Sequence, residues 1–387
     1  MNLKEVGELR RRFRPEKNAI SRIYGCYVNS SRNVISYLDE SLGNMPQEEA
    51  EKYLGLLKKS LSGGLGRNLI DITFTNEQVM DSDEHRLLMA LRDSELQNGE
   101  VRNEFYQKII DSLDMDGANY LILLSHDAYD VPRRARDGAP EDSETVFSYI
   151  LCSVCPVKDG KQELGYFPGD NGFHNCTAGQ VVSAPELGFL FPAFDDRAAN
   201  IYNALFYTRK PEELHHEVID ALFRTEPPMT AVEQKEAFQT ALCDALEGAC
   251  SLDVAWTLHE QLRSRIEEHQ ASKESDALEV TSQELGKVLR DCGVPEEQVS
   301  VFQEKCSEHF GSGAVMNPLN LIDSKKYEIK TDEVTITMDP ECSYAVTARV
   351  IDGKKYLLIP ADEGVEVNGL PVEIREETPE EAEEKPE

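Results

Sequence analysis

The sequence lacks any long run of apolar residues. Its longest apolar run, from Tyr120 to Leu124, is far shorter than the roughly 20 residues that an α-helix needs to cross a bilayer. The first ten residues include Glu5 and Glu8 and contain no apolar segment of the kind that signal peptides carry. We therefore expect neither a membrane span nor a secretory leader, and we predict that the protein is cytoplasmic.

The sequence is also poor in positive charge. Its 40 Lys and Arg residues are outnumbered by 72 Asp and Glu residues, which gives a formal net charge of -32. Phosphate groups are recognised by clustered cations, so this balance argues against DNA binding, and an anionic membrane surface would repel the chain. The acidity is typical of a soluble protein, and we expect its partners to be proteins.

Positive charge is concentrated near the N-terminus, where Arg10, Arg11, Arg12 and Arg14 lie close together. This cluster leaves RNA, or another acidic partner, open as something the chain binds. The strongly acidic C-terminal stretch from Glu373 onward could equally fold back on the cluster. The ordinary interpretation is a solvated helix face.

The nine cysteines form no recognisable disulfide framework, because their number is odd and their positions are scattered. Reduced thiols in the cytosol fit this pattern best. Cys152 and Cys155, with His174 and Cys176 after a gap of eighteen residues, resemble a four-ligand zinc set. Residues three apart in an extended strand point to opposite faces, however. We therefore favour packed cysteines over a zinc or redox site, and we expect no cofactor.

Changes in the hydrophobic pattern divide the chain into four predicted parts. Strand and helix patterns alternate early in the chain and strands cluster later, which favours the α+β class over a regular parallel α/β sheet. The dipeptides Asp352-Gly353 and Asn368-Gly369 are typical of tight hairpin turns. The predicted parts are an α+β core over 1–225 with a mixed β-sheet flanked by helices, a helical segment over 226–316, a small antiparallel β unit over 325–375, and a disordered acidic tail over 376–387.

Several blocks of sequence carry a family resemblance. They are Ser62–Leu69, which reads Ser-Gly-Gly-Leu-Gly-Arg-Asn-Leu, then Tyr120–Pro132, Tyr149–Val157 and Gly188–Arg197, and finally Val350–Gly353 and Val367–Gly369. Through these blocks the chain resembles, over nearly its whole length, a bacterial family catalogued as domain of unknown function 4317. The resemblance implies no activity that can be named and no functional residues, so a function has to be argued from the residues themselves.

Polar residues follow two of the predicted buried strands. They are His126, Asp127, Asp130, Asp195, Asp196 and Arg197. If the two strands are neighbours that run the same way, their ends would gather carboxylates, one imidazole and one guanidinium. Such a set could bind a divalent metal or perform acid–base hydrolysis. The alternative, which we favour, is that these residues cap the strand ends and that Arg197 pairs with a carboxylate.

A glycine-rich segment is a weak candidate for phosphate binding. Gly63, Gly64, Gly66 and Arg67 follow a predicted helix. The phosphate-binding loops of nucleotide-binding proteins connect a strand to a helix instead, so the segment matches neither of their fingerprints. We interpret it mainly as a helix stop, with a phosphate loop that uses Arg67 as the alternative.

These patterns favour a cytosolic, non-enzymatic protein that binds or regulates another protein. The reasons are the lack of a strong catalytic motif, the large acidic charge, the amphipathic helices and the separate β unit. Two alternatives remain. One is a metal-dependent hydrolase that uses the strand-end Asp, His and Arg residues, and the other is an RNA- or translation-associated factor that uses the basic N-terminus.

Overall fold

The structure is a computed structural model. It describes residues 1–14, 19–131, 133–134, 140–141, 146–160, 162–169, 171–177, 179–226, 228–247, 250–272, 274, 276–311, 313, 315–362, 364–367 and 369–373. The predicted acidic tail, 376–387, lies outside the described residues, as does Asn368 of the second predicted hairpin turn.

Helices and hairpins are arranged around one large sheet. The helices are α1 (Leu3–Arg12), α2 (Gln47–Lys59), α3 (Asn76–Asp81), α4 (Asp83–Asp93), α5 (Gly99–Ser112), α6 (His216–Phe223), α7 (Ala231–Leu246), α8 (Leu252–Ser272), α9 (Ser282–Asp291), α10 (Glu296–Phe310) and α11 (Pro318–Leu321). The strands are β1 (Arg22–Val28), β2 (Val34–Ser41), β3 (Leu69–Thr73), β4 (Asn119–Asp130), β5 (Arg133–Arg134), β6 (Pro140–Glu141), β7 (Val146–Asp159), β8 (Gln162–Phe167), β9 (Gly172–Thr177), β10 (Gln180–Val182), β11 (Leu187–Phe191), β12 (Ala193–Asp195), β13 (Ala198–Asn200), β14 (Asn203–Thr208), β15 (Val280–Thr281), β16 (Val315–Met316), β17 (Tyr327–Lys330), β18 (Thr335–Met338), β19 (Thr347–Ile351), β20 (Lys354–Leu358), β21 (Val365–Val367) and β22 (Leu370–Val372). None of the helices in this described part of the chain combines the length and the apolar character needed to cross a membrane.

The central sheet has the strand order β2-β1-β4-β7-β11-β14-β3, with β10 paired to β7. This confirms the predicted α+β class. The prediction of a mixed sheet, with both parallel and antiparallel pairs, is wrong. Every described pairing in this sheet is antiparallel. Parallel neighbours would need a crossover connection between them. Here α2 carries the chain from the edge strand β2 to the opposite edge strand β3, and α3 to α5 then carry it back into the sheet at β4.

Helices cover both faces of the central sheet. Along β4, Ile122 and Leu124 belong to a core that includes α4, α5 and α6, and we call this side the α5 face. Leu121 and Leu123 belong to a core that includes α1 and α2, on the side that we call the α1 face. Successive residues of a strand point to opposite faces, so a strand that is covered on both sides is apolar at every position. This explains the uninterrupted apolar run Tyr120–Leu124.

Helices α7 to α10 enclose a third core. Phe238, Leu262, Leu285 and Phe302 are buried there, one from each helix. Their helical spacing places apolar residues on one side of each helix, and the helices stabilise one another by burying those sides together. The division of the chain at residues 225 and 316 stays a prediction.

The loop after α2 contacts α11, whose Leu321 belongs to the third core. Asn317 Nδ2 donates a hydrogen bond to Leu65 O at 3.1 Å, and Asn320 Nδ2 donates one to Gly66 O at 2.8 Å. The backbone of Gly66 has a φ of 69°, and a Cβ at this position would lie 2.9 Å from Asn317 Nδ2. Glycine is therefore required at residue 66 both by the backbone conformation and by the close approach of the asparagine.

Small antiparallel hairpins follow the helices, namely β17–β18, β19–β20 and β21–β22. Asp352, with a φ of 50°, and Gly353, with a φ of 78°, form the turn between β19 and β20, as this dipeptide predicts. Trp256 Nε1 of α8 donates to Ser343 Oγ at 2.6 Å, which connects the hairpin region to the helices.

The close packing of β11 predicts a position where glycine is needed for stability. A Cβ on Gly188 would lie 2.4 Å from the carbonyl oxygen of Cys152 and 2.7 Å from Ser60 Oγ. We expect Gly188→Ala to lower the free energy of unfolding by about 1–3 kcal/mol, the usual cost of overpacking. The matched control is Gly55→Ala in α2, where a Cβ meets open space and alanine favours the helix. Urea denaturation measures both variants, and equal stabilities would contradict the packing argument.

Candidate functional site

His126 and Asp127, which are adjacent near the end of β4, lie on opposite faces of the sheet. Asp127 is only 4% exposed and lies on the α1 face. His126 lies on the α5 face, where its Nε2 is 2.9 Å from Ser148 Oγ. Burial lowers the pKa of His126 and outweighs the opposing effect of nearby carboxylates. The alternation of the strand therefore separates two residues that are neighbours in sequence.

A buried ion pair connects Asp127 to α1. The Arg12 guanidinium donates through Nε to Oδ2 and through Nη2 to Oδ1, the latter at 2.8 Å. The hydroxyl of Tyr149, which is fully buried, donates to Oδ2 at 2.9 Å. The guanidinium carbon also lies 4.4 Å from the centroid of the Tyr129 ring. Several charge-assisted donors thus offset the cost of removing this carboxylate from water.

The pKa values of the two donors keep both of them protonated. Burial alone would lower the pKa of Arg12, but the hydrogen bond and the charge of Asp127 outweigh burial and raise it. Burial, followed by the charge and the hydrogen bond of Asp127, raises the pKa of Tyr149 well above its ordinary value. Arg12 is therefore a cation and Tyr149 a neutral donor at neutral pH.

A second cluster lies one turn earlier on α1. Glu8 accepts a hydrogen bond from the Tyr129 hydroxyl and two from the Arg197 guanidinium, at 2.8 Å and 3.3 Å. Glu5 accepts one from the Arg197 backbone N–H at 3.2 Å and forms the capping box of α1 with Asn2. Burial tends to raise the pKa of Glu8, but the hydrogen bonds from Arg197 and Tyr129 outweigh burial and lower it. Arg197 is thus paired with a carboxylate, which is supplied by α1.

The two carboxylates at the turn of the β12–β13 hairpin have different surroundings. Asp195 Oδ1 lies 3.4 Å from the Met1 amino nitrogen, and Asp195 Oδ2 accepts a hydrogen bond from Asn200 Nδ2 at 3.2 Å. Asp196 is exposed, with a φ of 47°, and forms the turn together with Arg197, whose φ is 61°. Asp195 is therefore directed toward the start of α1, whereas Asp196 faces solvent.

The structure brings only part of the predicted strand-end set together. The residues near α1 are Asp127, Asp195 and Arg197. The residues apart from them are His126 on the α5 face, Asp130 exposed at the end of β4, and Asp196 exposed in its turn. Acid–base chemistry needs groups that reach one substrate. The groups near α1 contact a helix of the chain itself.

The basic N-terminal cluster is divided between the interior and the surface. Arg12 is paired with Asp127, while Arg11 and Arg14 are exposed. Arg10 is partly buried, and its Nε has no hydrogen-bond partner among the described residues. Any contact with phosphate would therefore depend mainly on Arg11 and Arg14.

The glycine-rich loop turns its backbone donors inward. The N–H groups of Arg67 and Asn68 donate to Gly64 O, at 3.3 Å and 3.0 Å, and the N–H of Gly66 donates within the same turn at 2.8 Å. A Cβ on Gly63, whose φ is 109°, would lie 2.4 Å from Asn68 Cβ. A phosphate-binding loop needs N–H groups that point at the anion, whereas these donors stabilise the turn itself. Of this set, Arg67 has an exposed side chain.

The four residues of the zinc-like set lie in two separate places. Cys152 and Cys155 are fully buried in β7, the first in the core of the α5 face and the second in the core of the α1 face. His174 and Cys176 lie in β9 and are exposed. Burial raises the pKa of both buried thiols, that of Cys155 to about 12. The alternation of the strand separates the two buried cysteines, as their spacing predicts.

Sequence analysis missed a hairpin formed by β8 and β9, which pair with each other and with no other described strand. We call it the aromatic hairpin. Leu164, which is 72% exposed, Tyr166 and Phe173, which is 68% exposed, lie on one of its faces. The ring centroids of Tyr166 and Phe173 are 5.3 Å apart. The available signal was the alternation of Leu164 and Tyr166 before the turn-forming segment Pro-Gly-Asp-Asn-Gly that starts at Pro168.

Sequence analysis also missed a group of two carboxylates and one imidazole where β11 and α6 begin. Glu186 precedes β11, and Glu213 and His215 precede α6. One potential ligand atom from each residue lies within 4.8 Å of the other two. Sequence spacing could not reveal this group, because the two segments are brought together by strand pairing, in which Leu187 of β11 lies opposite Thr208 of β14.

Comparison with known protein families identifies one family. A family model with the description "Domain of unknown function (DUF4317)" matches residues 1–370. No curated protein matches the chain. This match confirms the family resemblance seen in the sequence. The matched residues include α1 with its anchoring contacts, the aromatic hairpin and the group at the start of α6.

The buried ion pair predicts a large and localised effect on stability. Arg12→Met keeps much of the apolar packing of the side chain but leaves Asp127 without its cation, so we expect the free energy of unfolding to fall by about 3–5 kcal/mol. Arg11→Met, at an exposed position of the same helix, is the matched control, and we expect a change within about 0.5 kcal/mol. Adding Asp127→Asn to Arg12→Met should recover part of the lost free energy of unfolding, because the unpaired charge of Asp127 is removed. Chemical denaturation checks these values, and equal losses from the two arginine substitutions would argue against the ion pair as an anchor.

The lowered pKa of Glu8 predicts that the attachment of α1 weakens in acid. The folded-state pKa lies below the ordinary value of 4.5, so the folded chain binds fewer protons than the unfolded chain as the pH falls through this range. The stability contributed by Glu8 is therefore present above pH 4.5 and is lost as the pH falls through the folded-state pKa. We expect Glu8→Gln to flatten this part of the curve of stability against pH.

Urea midpoints measured above and below pH 4.5 check this expectation. The control is Glu48→Gln at an exposed position in α2. Its urea midpoint should change with pH as steeply as that of the parent chain. A Glu8→Gln curve as steep as that of the parent chain would show that Glu8 is not the group responsible.

Proposed function

Because the chain belongs to the family described as domain of unknown function (DUF4317), whose description names no activity, we propose its function from its surface. We propose that it is a cytosolic, non-enzymatic protein that binds another protein through the aromatic hairpin. The observation that supports this proposal is the exposed apolar face formed by Leu164, Tyr166 and Phe173.

The exposed face of the hairpin would gain free energy if a partner covered it. Burying one large apolar side chain is favourable by about 1.5–3 kcal/mol. Tyrosine and phenylalanine are also enriched at the centres of protein interfaces. None of the three cores of the described chain includes Leu164, Tyr166 or Phe173. A partner protein is therefore a suitable source of the missing apolar contacts.

The charge of the chain indicates the chemistry of this partner. With a formal net charge of -32, the chain attracts positively charged surfaces and repels acidic ones. We therefore propose a partner with an apolar pocket for the aromatic hairpin and a basic surface around that pocket. Long-range attraction of this kind accelerates association and weakens as salt is added.

The cysteines support the proposed cytosolic location. All nine are free thiols in the structure. Burial raises the pKa of Cys26 to about 11 and that of Cys306 to about 12. These buried thiols remain protonated at neutral pH and act as apolar core residues, which is typical of a reducing compartment.

The two alternatives have weaker support from the geometry. A hydrolase that uses the strand-end residues would need His126 and Asp127 to reach one substrate, and they lie on opposite faces of the sheet. An RNA-associated factor would depend on Arg11 and Arg14, because Arg12 is paired with Asp127. The aromatic hairpin, in contrast, already presents its apolar face to solvent.

Substitution of the hairpin face tests the proposal. The variant carries Leu164→Ser, Tyr166→Ser and Phe173→Ser, which remove exposed side chains. The full chain is immobilised and incubated with native cell extract, and a retained protein is then purified and its affinity measured directly. We expect the triple substitution to weaken binding by at least about tenfold, because aromatic anchors dominate interface energies. We also expect the affinity for the parent chain to fall with added salt.

The matched control substitutes exposed apolar residues of a different hairpin, Val350→Ser and Tyr356→Ser in β19 and β20. This variant should bind the partner as the parent chain does. The proposal is wrong if the triple variant retains the same proteins with the same affinity. It is also wrong if the control variant loses them equally, because the effect would then not belong to the aromatic hairpin.

A further inference from the structure

Three side chains of the types that bind metals converge where the sheet meets α6. Glu186, Glu213 and His215 each place one potential ligand atom within 4.8 Å of the other two. The ligands of a tetrahedral zinc ion lie roughly 3.3 Å apart when its bonds are about 2.0–2.1 Å long. Rotation of the carboxylate side chains would shorten these distances. The exposed side chain of Glu213 has the freedom to make that rotation.

The backbone at all three positions is fixed by hydrogen bonds. The N–H of Glu186 donates to Val154 O at 2.9 Å. The hydroxyl of Thr208 donates to Glu213 O at 2.6 Å. The carbonyl of His215 accepts the first hydrogen bonds of α6. The three side chains therefore project from rigid positions, which favours a site of defined geometry.

The imidazole of His215 needs a partner that the described residues do not supply. His215 is only 5% exposed, and its buried Nε2 has no hydrogen-bond partner among the described residues. Buried polar atoms are normally paired. The other ring nitrogen, Nδ1, lies 3.6 Å from Glu217 Oε1. Either ring nitrogen of a histidine can bind a metal, and the other is then usually paired with a carboxylate, a backbone carbonyl or water.

A positive charge already occupies the space between the two carboxylates. Lys210 Nζ lies 2.9 Å from Glu213 Oε2 and 3.6 Å from Glu186 Oε1. Arg209 Nη1 lies 3.6 Å from Glu186 Oε2. The carboxylates therefore attract a cation at this point. The lysine side chain is half-exposed, so its ammonium group could move into water if a doubly charged ion took its place.

We propose that Glu186, Glu213 and His215 bind one divalent transition-metal ion, with Zn²⁺ as the best match, in place of the ammonium of Lys210. One imidazole nitrogen and two carboxylate oxygens are ligands that zinc accepts, whereas Mg²⁺ and Ca²⁺ prefer oxygen ligands throughout. Three protein ligands leave a position of the metal for water. The ion joins the start of β11 to the start of α6.

A cavity of about 380 Å³ gives access to this site. Glu213 and His215 line it, and so do the carboxylate side chains of Glu212, Glu217 and Glu233. A concave surface lined by acidic groups raises the local concentration of cations. The cavity therefore attracts cations toward two of the three proposed ligands, Glu213 and His215.

Calorimetric titration of the chelator-treated full chain with ZnCl₂ alone tests the site. We expect one equivalent of zinc to bind. Glu213→Gln should weaken binding by at least about tenfold, since the loss of supporting residues alone has effects of this size. Lys210→Met should strengthen zinc binding, because it removes the competing cation. General damage to the fold would not produce two changes of opposite sign.

Exposed thiols also bind zinc, so the control variant replaces the four exposed cysteines and should keep the affinity of the parent chain. It carries Cys176→Ser, Cys243→Ser, Cys250→Ser and Cys342→Ser. Zinc binding that survives both Glu213→Gln and His215→Gln, or that disappears in the cysteine variant, would overturn the site. Absence of zinc binding by the parent chain would do the same. Equal affinity for MgCl₂ would overturn the assignment to a transition metal. The serine variant of the aromatic hairpin should bind zinc normally, which keeps this inference separate from the proposed function.

Discussion

The buried ion pair between Arg12 and Asp127 is the contact on which the rest of the sheet domain depends. It fixes α1 across the α1 face, where Val6, Leu9 and Phe13 complete a core that α2 alone does not cover. A carboxylate at this depth is tolerable only while its cation and its other donors remain in place. The helix and the sheet are therefore coupled, because removing Arg12 leaves the buried charge of Asp127 without its cation.

This coupling explains why the polar residues at the strand ends are poor candidates for catalysis. The charges of Asp127, Asp195 and Arg197 are paired within the chain, while Asp130 and Asp196 are exposed at separate places. The aromatic hairpin lies in the connection between β7 and β10, and Glu186 lies in the connection between β10 and β11. Both interrupt a run of antiparallel strands. Connections of this kind carry function more often than strands do, because they change without disturbing a buried core.

Much of the fold follows from local patterns in the sequence. The apolar run Tyr120–Leu124 indicates a strand covered on both faces, and Asp352-Gly353 indicates a hairpin turn, and both interpretations agree with the structure. The direction of the strands does not follow from such patterns. The sequence pattern of a strand, a helix and a second strand is the same whether the two strands are parallel neighbours or lie far apart in the sheet. Here β2 and β3, which α2 connects, are the opposite edges of one sheet.

The sequence alone determined which segments could be buried, where tight turns form, and that no segment is apolar enough to resemble a membrane span. Those properties depend on residues that are near one another in the chain. The tertiary structure alone decided that Asp127 meets Arg12, that His126 points away from both, and that Glu186 lies beside Glu213 and His215. These contacts join residues from distant segments, and the packing of whole helices and strands brings them together, which no local spacing records.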